Sequence, residues 1–236
     1  FVVVMCAVVA IALAGLRQAT AGIAAKNEEV FNKRAVLQAV ASKLGDKGVD
    51  DYSDEEILKL FENRMEQRVI RPDGTVVEEM KAEAVDMAQE RKKPEDERNL
   101  PLFIFDGTDG KNYILAVRGN GLWDEIWGYI ALEKDLNTIA GAAFDHKGET
   151  PGLGAEIKDN PNFPNQFVGK KIYDNSGTYV SVKVVKGGAK DGDVHAVDGI
   201  SGATVTADGV TEMLARGIEY YDAYFEDYKK SIDAKN

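Results

Sequence analysis

Cysteine, histidine and positive charge are what this 236-residue sequence has least of. Cys6 stands alone, so the chain cannot build an internal disulfide, a cysteine zinc site or a cysteine-ligated iron–sulfur cluster from its own residues. Two histidines, His146 and His195, argue against a histidine-rich metal site, and no metal ligands are assigned. Lys and Arg number 29 against 40 Asp and Glu, a net charge of −11. That balance argues against nucleic acid, whose phosphates call for clustered Lys and Arg. Among the remaining residues no Ser/His/Asp or paired-carboxylate arrangement stands out, so no catalytic residue is assigned.

What is present begins with an apolar run. Phe1 to Leu16 carries no charge, and Arg17 is the first. A spanning helix needs about 20 residues, and the chain opens with Phe, so the run reads as the distal part of one transmembrane helix with residues missing upstream. The rival is a signal peptide with a cleavage site near Ala19-Thr20-Ala21. The length and the Val/Ile bulk of the run favour an anchor over residues 1–20, with contact to the lipid bilayer.

The rest divides by pattern into 21–99 and 100–236. Val30, Phe31, Val36, Leu37, Val40 and Leu44 predict an amphipathic helix from Ala21 to Leu44. Ser53-Asp54-Glu55-Glu56 reads as a capping box opening a second helix through Ile57, Leu60, Phe61 and Met65. Arg71-Pro72-Asp73-Gly74 predicts the turn of a short hairpin, and the charge-dense stretch 78–98 an exposed helix running into a connector. From Leu100 the pattern turns to strands: 102–105 and 113–117 around Asp106–Gly110, then 127–132, 138–144 and 179–185. The expected fold class is α+β, a largely antiparallel sheet with flanking helices behind a single N-terminal membrane helix.

Three loops carry the chemistry. In Asp198-Gly199-Ile200-Ser201-Gly202-Ala203-Thr204-Val205-Thr206, two glycines allow tight turning, and the stretch carries three hydroxyls where a helical pattern begins, at or just after Thr204, and runs through Val210, Leu214, Ile218 and Phe225 to Tyr228. Thr204 thus falls near a helix N-terminus, where unpaired amides and the positive end of the dipole favour a phosphate. A Ser or Thr N-cap is the simpler alternative. Gly119-Asn120-Gly121-Leu122-Trp123 lacks the third glycine of a dinucleotide fingerprint, which excludes a Rossmann site there, and on spacing alone it is a turn that buries Trp123. His146-Lys147-Gly148-Glu149-Thr150-Pro151-Gly152-Leu153-Gly154 reads on spacing alone as a surface turn in which Glu149 is a solvated charge.

Taken together, these motifs resemble the FMN-binding family that includes the C subunit of the sodium-translocating NADH:quinone oxidoreductase. Its flavinylation signature, Asp-x-x-Ser-Gly-Ala-Thr, matches 198–204, and the similarity runs from about Leu100 to Tyr221. The resemblance implies FMN attached to Thr204 through a phosphoester bond, with Ser201, Gly202, Ala203 and Thr206 around the attachment site. It places Glu149, Thr150, Gly152, Leu153 and Gly154 beside the isoalloxazine, with Trp123 supplying apolar contact, while Asp198 serves loop geometry or recognition by a flavin transferase. The G subunit of the Rnf complex shares the E-T-P-G-L-G and S-G-A-T motifs; the G-L-W and W-G-Y-I-A-L stretches favour the sodium-translocating oxidoreductase. The implied role is electron relay within a sodium-pumping complex, with other subunits holding donor and acceptor and the main domain outside the bacterial cytoplasmic membrane. The rival outside redox chemistry is a membrane-anchored binding domain.

Overall fold

The computed structural model describes residues 1–45 and 47–233. Its first element is longer than the sequence pattern suggests. Helix α1 runs unbroken from Val2 to Gln38. The anchor and the amphipathic helix expected from Ala21 are therefore one element. No Pro or helix-ending turn separates them, and Ala-rich sequence across the join keeps helical propensity high. Side chains through Glu29 are all exposed, and burial begins at Val30. Helix α2 (Asp54–Arg64) starts at the expected capping box: the Ser53 hydroxyl accepts from the Glu56 amide and the Glu56 carboxylate accepts from Ser53 N–H at 2.7 Å.

Five strands follow as one antiparallel sheet in sequence order: β1 (Met65–Ile70), β2 (Leu100–Gly107), β3 (Gly110–Asn120), β4 (Glu125–Leu132) and β5 (Ile139–His146). The turn at 71–74 forms as expected, but its outgoing arm contributes only a bridge, Ile70 to Val76. The long partner of β1 is β2, from Met65–Phe105 to Ile70–Leu100. Residues 78–98 do not make a helix. They form a strap of 3-10 turns at Ala82–Ala84 and Glu95–Glu97 around a single-turn α3 (Met87–Glu90). With few apolar positions at helical spacing the stretch has no face to bury, and Asp86 and Pro94 restart the chain twice.

The sheet is buried on both faces, which is why β2 reads as a continuous apolar run rather than an alternation. Leu102, Ile104, Leu115 and Val117 face one core with helix α6 (Thr204–Glu219) and helix α7 (Asp222–Asp233). Phe103, Phe105 and Ile114 face the other with Leu37 of α1 and Phe61 of α2. The single C-terminal helix expected from the periodicity is broken at Tyr220 and Tyr221, where the Tyr221 hydroxyl is buried and donates to the carbonyls of Pro101 and Ala116. The strand expected over 179–185 is also shorter. Only β6 (Lys183–Val185) forms, pairing in parallel with β7 (Ala196–Asp198), because Ser181 adopts a left-handed φ of 60° that ends extended backbone before it. Short helices α4 (Glu156–Asp159) and α5 (Asn162–Asn165) close the far side of β5.

Candidate functional site

The three motif loops meet at one end of the sheet. The β3–β4 turn brings Gly121, Leu122 and Trp123; the segment after β5 brings 149–154; the turn after β7 brings Ser201 to Thr204. Helix α6 is set against β3 so closely that a Cβ on Gly209 would lie 2.2 Å from the Asn120 carbonyl oxygen. That contact fixes the start of α6 beside the β3–β4 turn.

Glu149 ties the loops together. Its Oε1 accepts from Trp123 N–H at 2.9 Å, and its Oε2 accepts from the Thr206 hydroxyl at 2.5 Å. The side chain is 5% exposed, so it is not the solvated charge that spacing suggests. Burial works to raise its pKa, but hydrogen bonds from Thr206 and from the amides of Trp123, Leu122 and Asp124 outweigh burial and hold the carboxyl below its ordinary value. Two glycines make room for it. A Cβ on Gly121 would lie 2.5 Å from Oε1, and one on Gly154 would lie 2.3 Å from Oε2 and 2.5 Å from Thr206 Oγ1. The Glu149 amide in turn donates to His146 Nδ1 at 3.1 Å.

Trp123 does not pack inward. It is 68% exposed, against the buried turn residue that spacing suggests, and its indole N–H donates to Thr150 Oγ1 at 2.9 Å. Leu122, Leu153 and Val205 are also exposed large apolar side chains on these loops. Leu153 sits on the turn carrying Gly152 (φ 73°), and a Cβ on Gly202 would lie 2.7 Å from Leu153 Cδ2. Gly202 (φ 79°) is the third residue of the turn in which the Ala203 amide donates to the Ile200 carbonyl, a left-handed position that favours glycine. Asp198 points elsewhere: its carboxylate accepts from the Ala189 amide at 2.8 Å, so it shapes the neighbouring turn.

Thr204 is the first residue of α6. The residue before it, Ala203, offers no side-chain cap, so neither Ser201 nor Thr204 serves as the N-cap. Among the described residues, the amides of Thr204, Val205 and Thr206 have no acceptor, and no acidic residue stands in the first turn. Ser201 and Thr204 are exposed, whereas Thr206 is 1% exposed with its hydroxyl committed to Glu149. The site offers an exposed hydroxyl at an open helix N-terminus, with an apolar platform beside it. A phosphorylated, planar, partly apolar group fits that combination.

Comparison with known proteins narrows the choice. The FMN-binding domain family matches residues 121–219, which span all three loops. The chain is 35% identical to the C subunit of the Na(+)-translocating NADH-quinone reductase of Pseudomonas aeruginosa, over 96% of this chain and 93% of the relative. The chain belongs to the family of C subunits of this reductase. The Yersinia pestis C subunit is 33% identical over 89% of this chain and 83% of its own length. Among solved structures, the Parabacteroides distasonis C subunit superposes with a TM-score of 0.74 at 36% identity, covering 86% of this chain and 94% of that one. Shewanella oneidensis NqrC superposes with a TM-score of 0.73 at 29% identity, covering 86% and 99%. Like its relatives, this member of the family is part of an enzyme complex, as an electron-transfer subunit with an FMN-binding domain. It is membrane-associated, with one N-terminal helix long and apolar enough to cross a bilayer.

Sequence reasoning missed two features of the site. Gly121 was readable only as part of a turn, because nothing local says that its missing Cβ is occupied by a carboxylate from another loop. Val205 belongs to a helix start, where periodicity alone does not reveal that its side chain faces solvent.

Proposed function

We propose that FMN is attached to Thr204 through a phosphoester bond and that the chain relays electrons through it inside the sodium-pumping complex. The observation that carries this reading is the open start of α6 at Thr204: an exposed hydroxyl, three amides without acceptors and no side-chain cap. A phosphate at such a terminus gains about 0.3–1 kcal/mol from the helix dipole, up to about 2 when partly buried. That is too little to retain a cofactor alone and suits a covalent link. Exposure of Ser201 and Thr204 leaves the acceptor within reach of a flavin transferase, which we take as a maturation partner.

In this reading Trp123, Leu153 and the backbone around Gly152 and Gly154 hold the ring system, Thr150 orients Trp123, and Ser201 to Ala203 form the turn that presents Thr204. Glu149 and Thr206 act behind them, keeping the loops in register. FMN supplies the redox chemistry, and the protein supplies binding, orientation and local electrostatics. Residues 1–20 serve as anchor, 21–99 as support and 100–236 as the FMN-binding part, with the domain on the extracytoplasmic side of the bacterial inner membrane.

The test is the intact mass of the chain co-produced with a flavin transferase, followed by mapping of the peptide spanning 192–216. The expected result is one FMN less one water on Thr204, abolished in Thr204→Ala while the protein stays folded. Covalent flavin surviving in Thr204→Ala would move the site to Ser201, the other exposed hydroxyl of the loop. A colourless, unmodified protein made alongside an active transferase would favour a binding domain without redox chemistry.

A further inference from the structure

The outer edge of β5 presents peptide groups that the fold leaves unpaired. β5 is the last strand of the sheet, with β4 on one side only. The Lys147 amide donates to the Glu125 carbonyl at 3.0 Å, which sets the alternation along the ladder. The pairs Trp127–Asp145, Tyr129–Ala143 and Ala131–Gly141 then exchange bonds, while Phe144 and Ala142 turn their N–H and C=O away from β4. Past the irregularity at Ala131/Leu132, Ile139 shows what this outward row accepts. Its amide donates to the Lys170 carbonyl and its carbonyl accepts from the Gly169 amide, both at 2.8 Å. The chain therefore fills the first rung of the edge with its own backbone and then departs. Among the described residues, no partner meets the outward groups of Ala142 and Phe144.

These groups open into a cleft of about 500 Å³. One wall is α1, through Phe31, Ala35 and Gln38, and the other is the α4–α5 segment, through Pro161, Pro164 and Val168. Phe31 and Val168 are each 54% exposed. The floor along β5 is small: Ala140, Gly141, Ala142, Ala143. Two cations on the rim are already engaged. Arg34 donates to the carbonyls of Val49 and Tyr52 and to Asp54, and Lys158 pairs with Asp145 at 2.8 Å. With both engaged, the cleft is poorly suited to an anionic headgroup. Nor does Ile139 to Phe144 carry the Lys, Pro or inward charge that usually discourages edge pairing.

We propose that this cleft receives an extended segment of another subunit of the reductase, which adds to β5 as a sixth strand. Main-chain bonds to Ala142 and Phe144 would supply the pairing, and the apolar walls would take alternate side chains. Two observations favour a different subunit over a second copy. The chain carries −11, so two copies repel. The cleft is also walled by α1, whose exposed apolar N-terminal half is long enough to enter a bilayer, so a partner held in the same complex by that helix is kept beside the cleft. The proposal rests on membership of the complex.

Hydrogen exchange read residue by residue tests it, comparing the full-length chain alone in detergent with the same chain in the purified complex. The amides of Ala142 and Phe144 are expected to exchange at least tenfold more slowly in the complex. Phe31→Glu and Val168→Glu, both at exposed positions, are expected to return those two amides to the free rate while covalent flavin is retained. Equal rates in the two preparations would overturn the proposal. Slowing of the isolated chain on concentration would overturn it in favour of a second copy, and slowing in lipid nanodiscs alone in favour of the bilayer. Loss of covalent flavin in Phe31→Glu or Val168→Glu would point to damage at the FMN loops rather than at the cleft, so failure of the FMN reading and failure of the strand proposal are distinguishable.

Discussion

Glu149 shows how a single side chain can set the geometry of a site it does not need to touch. One buried carboxylate accepts from a hydroxyl of α6 and from amides of the β3–β4 turn, so three segments share one anion. Hydrogen bonds to a charged group are worth about 1.5–3 kcal/mol each, and a buried donor left unpaired costs about 1–3. Glu149→Gln keeps the shape but removes the charge and is expected to destabilise the chain by about 2 kcal/mol, read from urea midpoints. The sign of the pH dependence follows from the depressed pKa. The unfolded carboxyl binds its proton more readily than the folded one, so the stabilisation is present above the unfolded value of about 4.3 and is lost as pH falls through the folded one. The stability gap between wild type and Glu149→Gln should therefore be full at pH 7 and shrink below about pH 4. A gap independent of pH would mean that shape, not charge, does the bracing. Thr206→Val should lower stability by about 1–3 kcal/mol for the same reason, since it leaves a buried carboxylate oxygen without its donor.

Among the elements, α1 divides into a part that contributes to the fold and a part that does not. Its side chains through Glu29 are exposed, while Val30, Val36 and Leu37 are buried against Phe61 and Phe103. Removing residues 1–26 is expected to shift Tm by less than about 3 °C, because exposed positions without contacts carry little stability. Leu37→Ala, which empties a fully buried position, should cost about 2–5 kcal/mol. The contrast explains which elements were legible. Local signals were sufficient for α2, where Ser53 and Glu56 cap the helix, and for the β2–β3 hairpin, where Asp106 to Gly110 turn the chain. The start of α6 at Thr204 was legible for the same reason. Elements decided by distant contacts were not. β1 pairs along its whole length with β2 across the strap and meets its sequence neighbour only through the bridge to Val76, and the α6–α7 break depends on carbonyls of Pro101 and Ala116 that Tyr221 reaches only in the folded chain. The site divides in the same way: the residues that face outward stood in recognisable motifs, whereas the brace of Glu149 and Thr206 depends on loops distant in sequence.

At the scale of the molecule, the N-terminal apolar helix and the motif loops leave the sheet from the same end. Ala39 lies against Gly141 early in β5, and Phe31 lies beneath Lys158, whose ammonium pairs with Asp145 near the end of that strand. The helix therefore runs opposite to β5, and its exposed N-terminal portion projects past His146, where the segment carrying Glu149 and Leu153 begins. From Arg17, the first charge after the apolar run, to Val30, the first buried residue, the helix rises about 20 Å. The motif loops therefore lie on the side of the domain from which the exposed apolar part of α1 extends, separated from it by this short stalk. Inserting seven residues between Arg17 and Glu29 adds about 10 Å of helix and preserves, to within about 20°, the face that α1 presents to the domain. The expected outcome is normal covalent flavin and normal domain stability with a lower NADH:quinone turnover in the assembled complex. Unchanged turnover would mean that the stalk length does not set the approach of the site to its electron partners.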